Sequence, residues 1–358
     1  MKRGLVVTRF IFAFSGDLET PTGNYAYARK ILPPLKARLG LEVLALPAGF
    51  PLASGDTMRE ALAALRAASG PDTVLFLDGL VGSALPADEL GAIAGAKVAL
   101  VHHPLALEDG LDASTKARLL RSEADALALA DAIIVPSEGT ARDLTRIFDV
   151  PPGRLAVALP GVLRGFRAEG SPPGEPLHIV SAGTLTPRKG HAVLVDALAQ
   201  IADLPWRATI AGALDLSPET AAAVRAKIAA HGLGDRVRLA GHVDEAALSA
   251  LYASGDIFAL ASFHEGYGMV FAEAMAHGLP VVASGDGAVR DTVPGEAGHV
   301  CAAGDADAIA AALRSLSIDA GLRRRMAEAA WRHGQTLPSW DACAAIIARV
   351  LEKVAHLG

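Results

Sequence analysis

The feature that most limits what this chain can fold into is an alternation of short, β-branched apolar runs with longer stretches of helical spacing. In the first half the runs are GLVVTRFIFAF, LEVLAL, TVLFLD, KVALVHH and AIIVPS; in the second they are LHIVSAGTL, WRATIAG, VRLAGHV, DIFALAS and PVVAS. Strands that are apolar at successive positions are strands buried on both faces, and the intervening helices are the crossovers that parallel neighbours require. Two successive sets predict an α/β protein of two doubly wound, Rossmann-like domains. A length of 358 residues, beyond what one core sustains, agrees. The break is expected in LPGVLRGFRAEGSPPGEPLH, residues 159–178, where Pro, Gly and Ser concentrate before a new strand. FDVPPGRL is read as an internal loop between a helix and a short strand. DACAAIIARVLEKVAHLG, with apolar residues at 346, 347, 350, 351 and 354, predicts a terminal helix packed on something already built.

Composition removes several function classes. Hydrophobic residues make up 51% and charged ones 20%, as in a soluble globular protein. A formal net charge of −6 without Lys/Arg clusters argues against a nucleic-acid binder. Cys301 and Cys343 have no paired ligand spacing, which argues against a disulfide framework or zinc site and fits a reducing cytoplasm. MKRGLVVTRFIFAF has the basic start of a signal peptide. Its apolar run is broken by Arg9, and Asp17 and Glu19 follow soon, so it is read as the first strand. No apolar stretch is long enough to span a bilayer.

In open α/β sheets ligands gather beyond the carboxyl ends of strands, so each candidate site should follow a strand. SAGTLTPRKGH carries Gly183, Arg188 and Lys189. It lacks the Gly-Lys-Ser/Thr order of a phosphate loop, and alone the Arg-Lys pair reads as a solvated surface pair. Beside a helix start, the same two cations can hold a diphosphate. HEGYGMVFAEAMAHGLP places Glu265 before two glycines, Gly266 and Gly268, and Glu273 eight positions later. A helix starting near Met269 would leave Glu265 in the loop and Glu273 within an apolar helix, where an acid needs a partner; sugar or ribose hydroxyls suit it. The glycine loop and free amides of that helix start form a second anion site. KVALVHHPLALEDGL ends a strand with His102 and His103; adjacent strand residues face opposite ways, so at most one faces a ligand and a metal pair is not expected. SGDLETPTGNYAYARKIL holds Gly16, Asp17 and Gly23 before a helix from about Asn24, a weak signal that a plain turn explains equally. DASTKARLLRSEADALALA mixes basic and apolar residues and leaves a lipid acceptor, with peripheral contact at the inner face of the plasma membrane, open beside the plainer reading of a solvated helix.

Taken together, from SAGTLTPRKGHAVLVDAL through GHVDEAALSALYASGDIFALASFHEGYGMVFAEAMAHGLPVVAS to AGHVCAAGDADAIAAAL, the second half resembles a retaining glycosyltransferase of the GT4 family. Its E-x7-E signature is matched by Glu265 and Glu273. The resemblance implies a GT-B fold: an acceptor-side domain over 1–165 and a nucleotide-sugar domain over 166–335, facing a cleft, with 336–358 returning to the first domain. It implies a nucleotide-diphosphate sugar donor, UDP- or GDP-linked, and no metal or other cofactor. The acceptor would be a saccharide or a lipid-linked acceptor, on the way to a cell-surface polysaccharide, a lipopolysaccharide or a glycolipid. Arg188 and Lys189 would hold the diphosphate, Glu273 the ribose, and Glu265 the transferred sugar. Gly183, Thr184, Gly241, His242, Val243 and the stretch Gly266, Tyr267, Gly268, Met269, Val270 would complete the donor site. His102 would stand near the reacting sugar. Gly16, Asp17 and Gly23 correspond to a glycine-rich loop that is frequently Gly-Gly, where this chain has Gly23-Asn24.

Three other readings compete with this one. A nucleotide-sugar epimerase or hydrolase would keep the fold and act on the donor alone. A non-catalytic sugar-nucleotide binder is disfavoured by cations, acids and histidine occurring together. A dehydrogenase is disfavoured because no G-x-G-x-x-G follows the first strand.

Overall fold

The computed structural model describes residues 8–108 and 111–356. The chain divides into two compact units. One comprises the chain up to Thr20, Asn24–Pro160 and the segment from Trp340; the other comprises Pro21–Gly23 and Gly161–Ser339.

The first unit is built on one parallel sheet. Its strands are β1 (Arg9–Ser15), β2 (Glu42–Leu46), β3 (Thr73–Asp78), β4 (Ala96–Leu100), β5 (Ala132–Val135) and β6 (Leu155–Val157), in the order β2-β1-β3-β4-β5-β6. Every residue of β3 is buried, as its unbroken apolar run requires. The predicted first strand began at residue 4; residues 4–7 and the basic pair weighed as a targeting start lie outside the described residues, and β1 opens at Arg9. FDVPPGRL forms the short 3-10 turn Pro152–Arg154 leading into β6. The helices begin where the sequence supplies caps: Ser54, Asp112 and Ser137 each accept a hydrogen bond from a first-turn amide. The helix Trp340–Ala355 packs its buried Ile347, Leu351 and Val354 onto β3, β4 and β5. Its Cys343 Sγ lies 3.2 Å from the hydroxyl of Tyr27, which also donates to Ala158 O at 3.1 Å. Neither described cysteine forms a disulfide.

The second unit has its own parallel sheet. Its strands are β7 (Leu177–Ala182), β8 (Trp206–Ala211), β9 (Val237–Gly241), β10 (Ile257–Leu260), β12 (Val281–Ser284) and β14 (Gly298–Cys301). The two-residue strands β11 (His264–Glu265) and β13 (Asp286–Gly287) pair with each other beside it. The main order is β14-β12-β10-β7-β8-β9. Counted from β7 this is the 3-2-1-4-5-6 winding of a dinucleotide-binding fold. The chain runs outward to β9 and then jumps back, so β7 and β10 are neighbours across the point where the winding reverses. Apolar cores lie on both faces, one around Leu198, Trp206 and Leu313, the other around Phe258, Phe271 and Met275.

Candidate functional site

The reversal between β7 and β10 decides which loops meet. The chain leaving β7 forms the 3-10 turn Pro187–Lys189 and then Gly190 in the left-handed conformation, φ 60°. The chain leaving β10 runs through Ser262 to Glu265. The two are joined main chain to main chain, with Phe263 N donating to Arg188 O at 2.8 Å. Gly190 sits so close to this second loop that a Cβ there would lie 1.9 Å from Ala261 O. Gly190→Ala therefore adds left-handed strain to a backbone clash. It should lower the stability of this unit by more than about 2 kcal/mol in urea unfolding and displace the cations beside it.

What that seam assembles is a charged cluster. Lys189 Nζ donates to Glu265 Oε1 at 2.6 Å, and Arg188 Nη1 lies 3.4 Å from Glu265 Oε2 while donating to His264 O at 2.8 Å. Ser262 Oγ donates to Glu265 Oε1 at 2.6 Å. Glu265 is 5% exposed. Burial pushes its carboxyl upward, but the charges of Lys189 and Arg188, with the hydrogen bonds from Lys189 and Ser262, outweigh it and hold the acid at about 2. Two cations are gathered at one carboxylate here, an arrangement that suits an anionic ligand. From sequence these residues were assigned separate duties; that they bind one another was not foreseen, because 76 residues separate the partners.

The helix Met269–Ala276 starts beside this cluster, with Gly268 at its N-cap, φ 86°, and no capping side chain. A Cβ at Gly268 would lie 2.5 Å from the Phe271 ring, so glycine is needed there for both reasons. Tyr267 is buried, and its carbonyl accepts from Thr292 Oγ1 at 2.5 Å. Glu265 O accepts from Ala288 N at 2.9 Å, tying Gly266 and the residues after it to the segment following β13. Met269 and Val270 form the first helical turn, each partly exposed. Glu273 lies within the helix, partly exposed, and accepts from the Tyr252 hydroxyl at 2.9 Å.

The remaining second-unit candidates fall in two places. Gly183 and Thr184 begin the cationic loop, and the Gly183 carbonyl is held by His191 Nε2 at 3.0 Å. Burial keeps His191 neutral, down at about 4, and it was missed from sequence because nothing marks it apart from other helix-start residues. Gly241, at φ 73°, ends β9, followed by exposed His242 and partly exposed Val243. β8 separates these three from β7.

In the first unit, β4 ends at Leu100, so His102 and His103 lie in the loop beyond it rather than on opposite strand faces. His102 Nε2 faces Asp78 Oδ2 at 3.9 Å and has no hydrogen-bond partner among the described residues. Burial, then His103, pushes His102 down to about 3, so it is a neutral imidazole and the contact is no ion pair. Asp78 ends β3; burial raises it to about 6, with the Leu80 amide and Asn24 side chain pulling the other way. Asp78 was not a sequence candidate, since a lone acid closing an apolar run carries no motif. Gly16, φ 76°, donates its amide to Leu46 O, and Asp17 Oδ1 accepts from Glu19 N at 2.9 Å in a local turn. Gly23, which belongs to the second unit, is the first residue of the helix Gly23–Leu39. Among the described residues, no group of three His, Cys, Asp or Glu is placed to hold a metal.

Comparison with known proteins fits this geometry. The curated relatives include a D-inositol 3-phosphate glycosyltransferase of Corynebacterium glutamicum, 32% identical over 233 residues, covering 60% of this chain and 56% of that protein. They also include a phosphatidyl-myo-inositol mannosyltransferase of Mycobacterium leprae, 37% identical over 180 residues, covering 48% and 45%. The chain thus spans about half the length of the curated relatives it matches. Among solved structures, the sucrose-phosphate synthase of Thermosynechococcus elongatus superposes with a TM-score of 0.83 at 22% identity, over 98% of this chain and 100% of that one. Anabaena HepE in complex with UDP and glucose gives 0.75 at 18% identity, over 96% and 99%. These show the GT-B fold. A glycosyl transferase 4-like domain model matches residues 3–161 and a model of glycosyl transferases group 1 matches residues 165–333. With both halves matched in order, the chain belongs to the GT4-type glycosyltransferases.

Proposed function

We propose that the chain transfers a hexose from a UDP- or GDP-linked sugar to an acceptor hydroxyl, with retained anomeric configuration and without a metal ion. The observation that carries the proposal is the cluster of Lys189, Arg188 and Glu265 at the winding reversal of the second sheet. A nucleotide-diphosphate sugar has a part for each of these groups. Its diphosphate is met by Arg188, Lys189 and the amides at the start of the Met269–Ala276 helix. Its ribose hydroxyls donate to Glu273. The transferred sugar lies by Glu265 and the main chain from Gly266 to Val270.

Chemistry follows from where charge develops. As the bond from the anomeric carbon to the phosphate oxygen breaks, negative charge grows on the diphosphate, and prepositioned cations stabilise it most at that moment. The acceptor oxygen bonds to the anomeric carbon, and its proton passes to the leaving phosphate oxygen. Because Lys189 is already bonded to Glu265, the diphosphate shares an oriented ammonium instead of recruiting a mobile one, so little reorganisation accompanies the step. The acceptor is proposed to be a saccharide or lipid-linked hydroxyl. The inositol-containing names of relatives support a polyol or its lipid. No described helix is long and apolar enough to cross a membrane.

A thermal-shift panel of UDP-, GDP- and ADP-sugars identifies the donor, since stabilisation grows with concentration over Kd. Acceptor trials with that donor follow, and anomeric configuration is read by NMR. Stabilisation by one base and acceptor-dependent loss of donor are expected. No stabilisation by any of them, or free sugar as main product whatever the acceptor, overturns the proposal.

A further inference from the structure

His191 opens the helix His191–Ala199, directly after the loop that carries Arg188 and Lys189, and is 1% exposed. Its Nε2 lies 3.0 Å from Gly183 O. A carbonyl can only accept, so the ring proton sits on Nε2. Nδ1 is buried and has no hydrogen-bond partner among the described residues, so the ring makes its polar contact through Nε2. Burial pushes the imidazole down to about 4, with the Lys189 charge acting the same way against main-chain bonds to Gly183 and Thr184. The ring is therefore a donor that adds no charge beside the cations.

The Gly183 carbonyl passes so close over Gly212 that a Cβ there would lie 1.9 Å from its oxygen, and Gly183 N donates to Ala211 O at 2.9 Å. Because the peptide is planar, a held carbonyl fixes the plane between Gly183 and Thr184. Lys189 lies against the same residue. A Cβ on Gly183 would meet Lys189 Cδ at 3.5 Å, Lys189 Cγ at 3.7 Å and His191 Nε2 at 3.7 Å. The methylene stem of Lys189 thus rests on the glycine that His191 holds in place.

We infer that His191 is a positioning residue for the diphosphate: by holding the Gly183 carbonyl it sets the platform under the Lys189 stem, and so the point at which the ammonium meets the second phosphate. This rests on the reading that Lys189 holds the diphosphate. Lys189 keeps its bond to Glu265 and its other contacts without His191. Loss of the ring therefore shifts the ammonium rather than releasing it, and its effect is smaller than loss of Lys189 itself.

The test is binding of UDP, GDP and ADP, each beside its monophosphate, by titration calorimetry. Wild type, His191→Gln, His191→Asn and His191→Leu are compared, each with and without Lys189→Ala. The glutamine amide reaches the place of Nε2 and still donates. The asparagine amide stops at the place of Nδ1, and leucine fills the space without donating. The second phosphate should strengthen wild-type binding, and His191→Asn and His191→Leu should cut that gain by about five- to tenfold with monophosphate binding unchanged. His191→Gln should keep it. In the Lys189→Ala background the His191 changes should add nothing, since a residue that acts through another has no effect once the other is gone. The two variants that cannot reach the carbonyl duplicate each other, so either one that folds reads the result. Equal weakening of mono- and diphosphate, a loss in His191→Gln as large as in His191→Leu, or additive losses in the double variants overturn the inference. If Lys189→Ala alone keeps the wild-type gain, the lysine–diphosphate reading falls and takes the inference with it. If Lys189→Ala loses the gain while His191→Leu keeps it, His191 alone loses its role. Failure of all three diphosphates to bind wild type refutes the donor reading and the inference together.

Discussion

Replacing Lys189 with alanine should lower kcat by about a hundred- to a thousandfold at saturating donor, the range expected when one prepositioned group is removed from a developing oxyanion. Glu265→Gln should fall as far. The two variants differ in what they leave behind. Without Lys189 a buried carboxylate keeps, among the described residues, Arg188 at 3.4 Å and the Ser262 hydroxyl at 2.6 Å. Breaking a buried pair on one side is costly, about 3 kcal/mol or more. Acid titration then tells the cases apart. Glu265 is held at about 2, below its unfolded value of 4.5, so its ionised form stabilises the fold above the unfolded value. That contribution, on the order of 3 kcal/mol, is lost as pH falls from about 4.5 to about 2. In Lys189→Ala the loss should still begin near 4.5 but be smaller and end at higher pH, because the acid regains a more ordinary value. In Glu265→Gln this part of the acid limb should vanish, since nothing there titrates. Melting curves between pH 2 and 5 read all three, and wild-type kcat in Lys189→Ala would refute the assignment of the cluster.

The second large effect lies away from the cluster, in the first unit, and has the opposite sign with pH. Glu123, fully buried on the helix Ala113–Leu129, accepts from Leu105 N at 2.9 Å, just beyond His102, His103 and Pro104. Burial pushes its carboxyl up to about 8, against smaller downward pulls from the Leu105 amide and Ser83 hydroxyl. The native chain therefore keeps a proton that the unfolded chain releases near 4.5. Stability is full below that value and falls as pH rises toward 8, by roughly 5 kcal/mol. Glu123→Gln keeps the shape and the acceptor for Leu105 without the titration. Its melting temperature should match wild type at pH 4 and exceed it by more than about 5 °C at pH 8. A gap independent of pH would show that Glu123 is ionised in the fold.

How much of this was visible in the bare sequence depended on whether a signal was local. Unbroken apolar runs such as TVLFLD and DIFALAS marked buried parallel strands, because burial on both faces leaves that imprint on adjacent residues. β14, GHVC, left none: it is short and starts at Gly298, where a Cβ would lie 2.4 Å from Val281 O. β11 and β13 are too short for any period. At the site, the acid pair and the Arg-Lys pair were legible as types and spacings within one loop or helix. The bonds among them were not. Lys189 with Glu265, Tyr252 with Glu273, and Asp78 with His102 come together through sheet winding and helix packing, which no window of sequence contains. Glu123 lies in a segment mixing charged and apolar residues, and whether an acid on such a helix faces water or core is decided by tertiary packing.

The hydrogen bond from Phe263 N to Arg188 O, with Gly190 pressed on Ala261, makes the seam beneath the charged groups a matter of peptide groups rather than side chains. Descendants of such a chain are then free to exchange residues around the rim without disturbing the anchor. Anyone retooling this catalyst for another sugar should leave the 183–190 and 261–268 loops untouched. Variation belongs at the outer strand, around His242 and Val243, where lengthening a turn moves nothing at the centre.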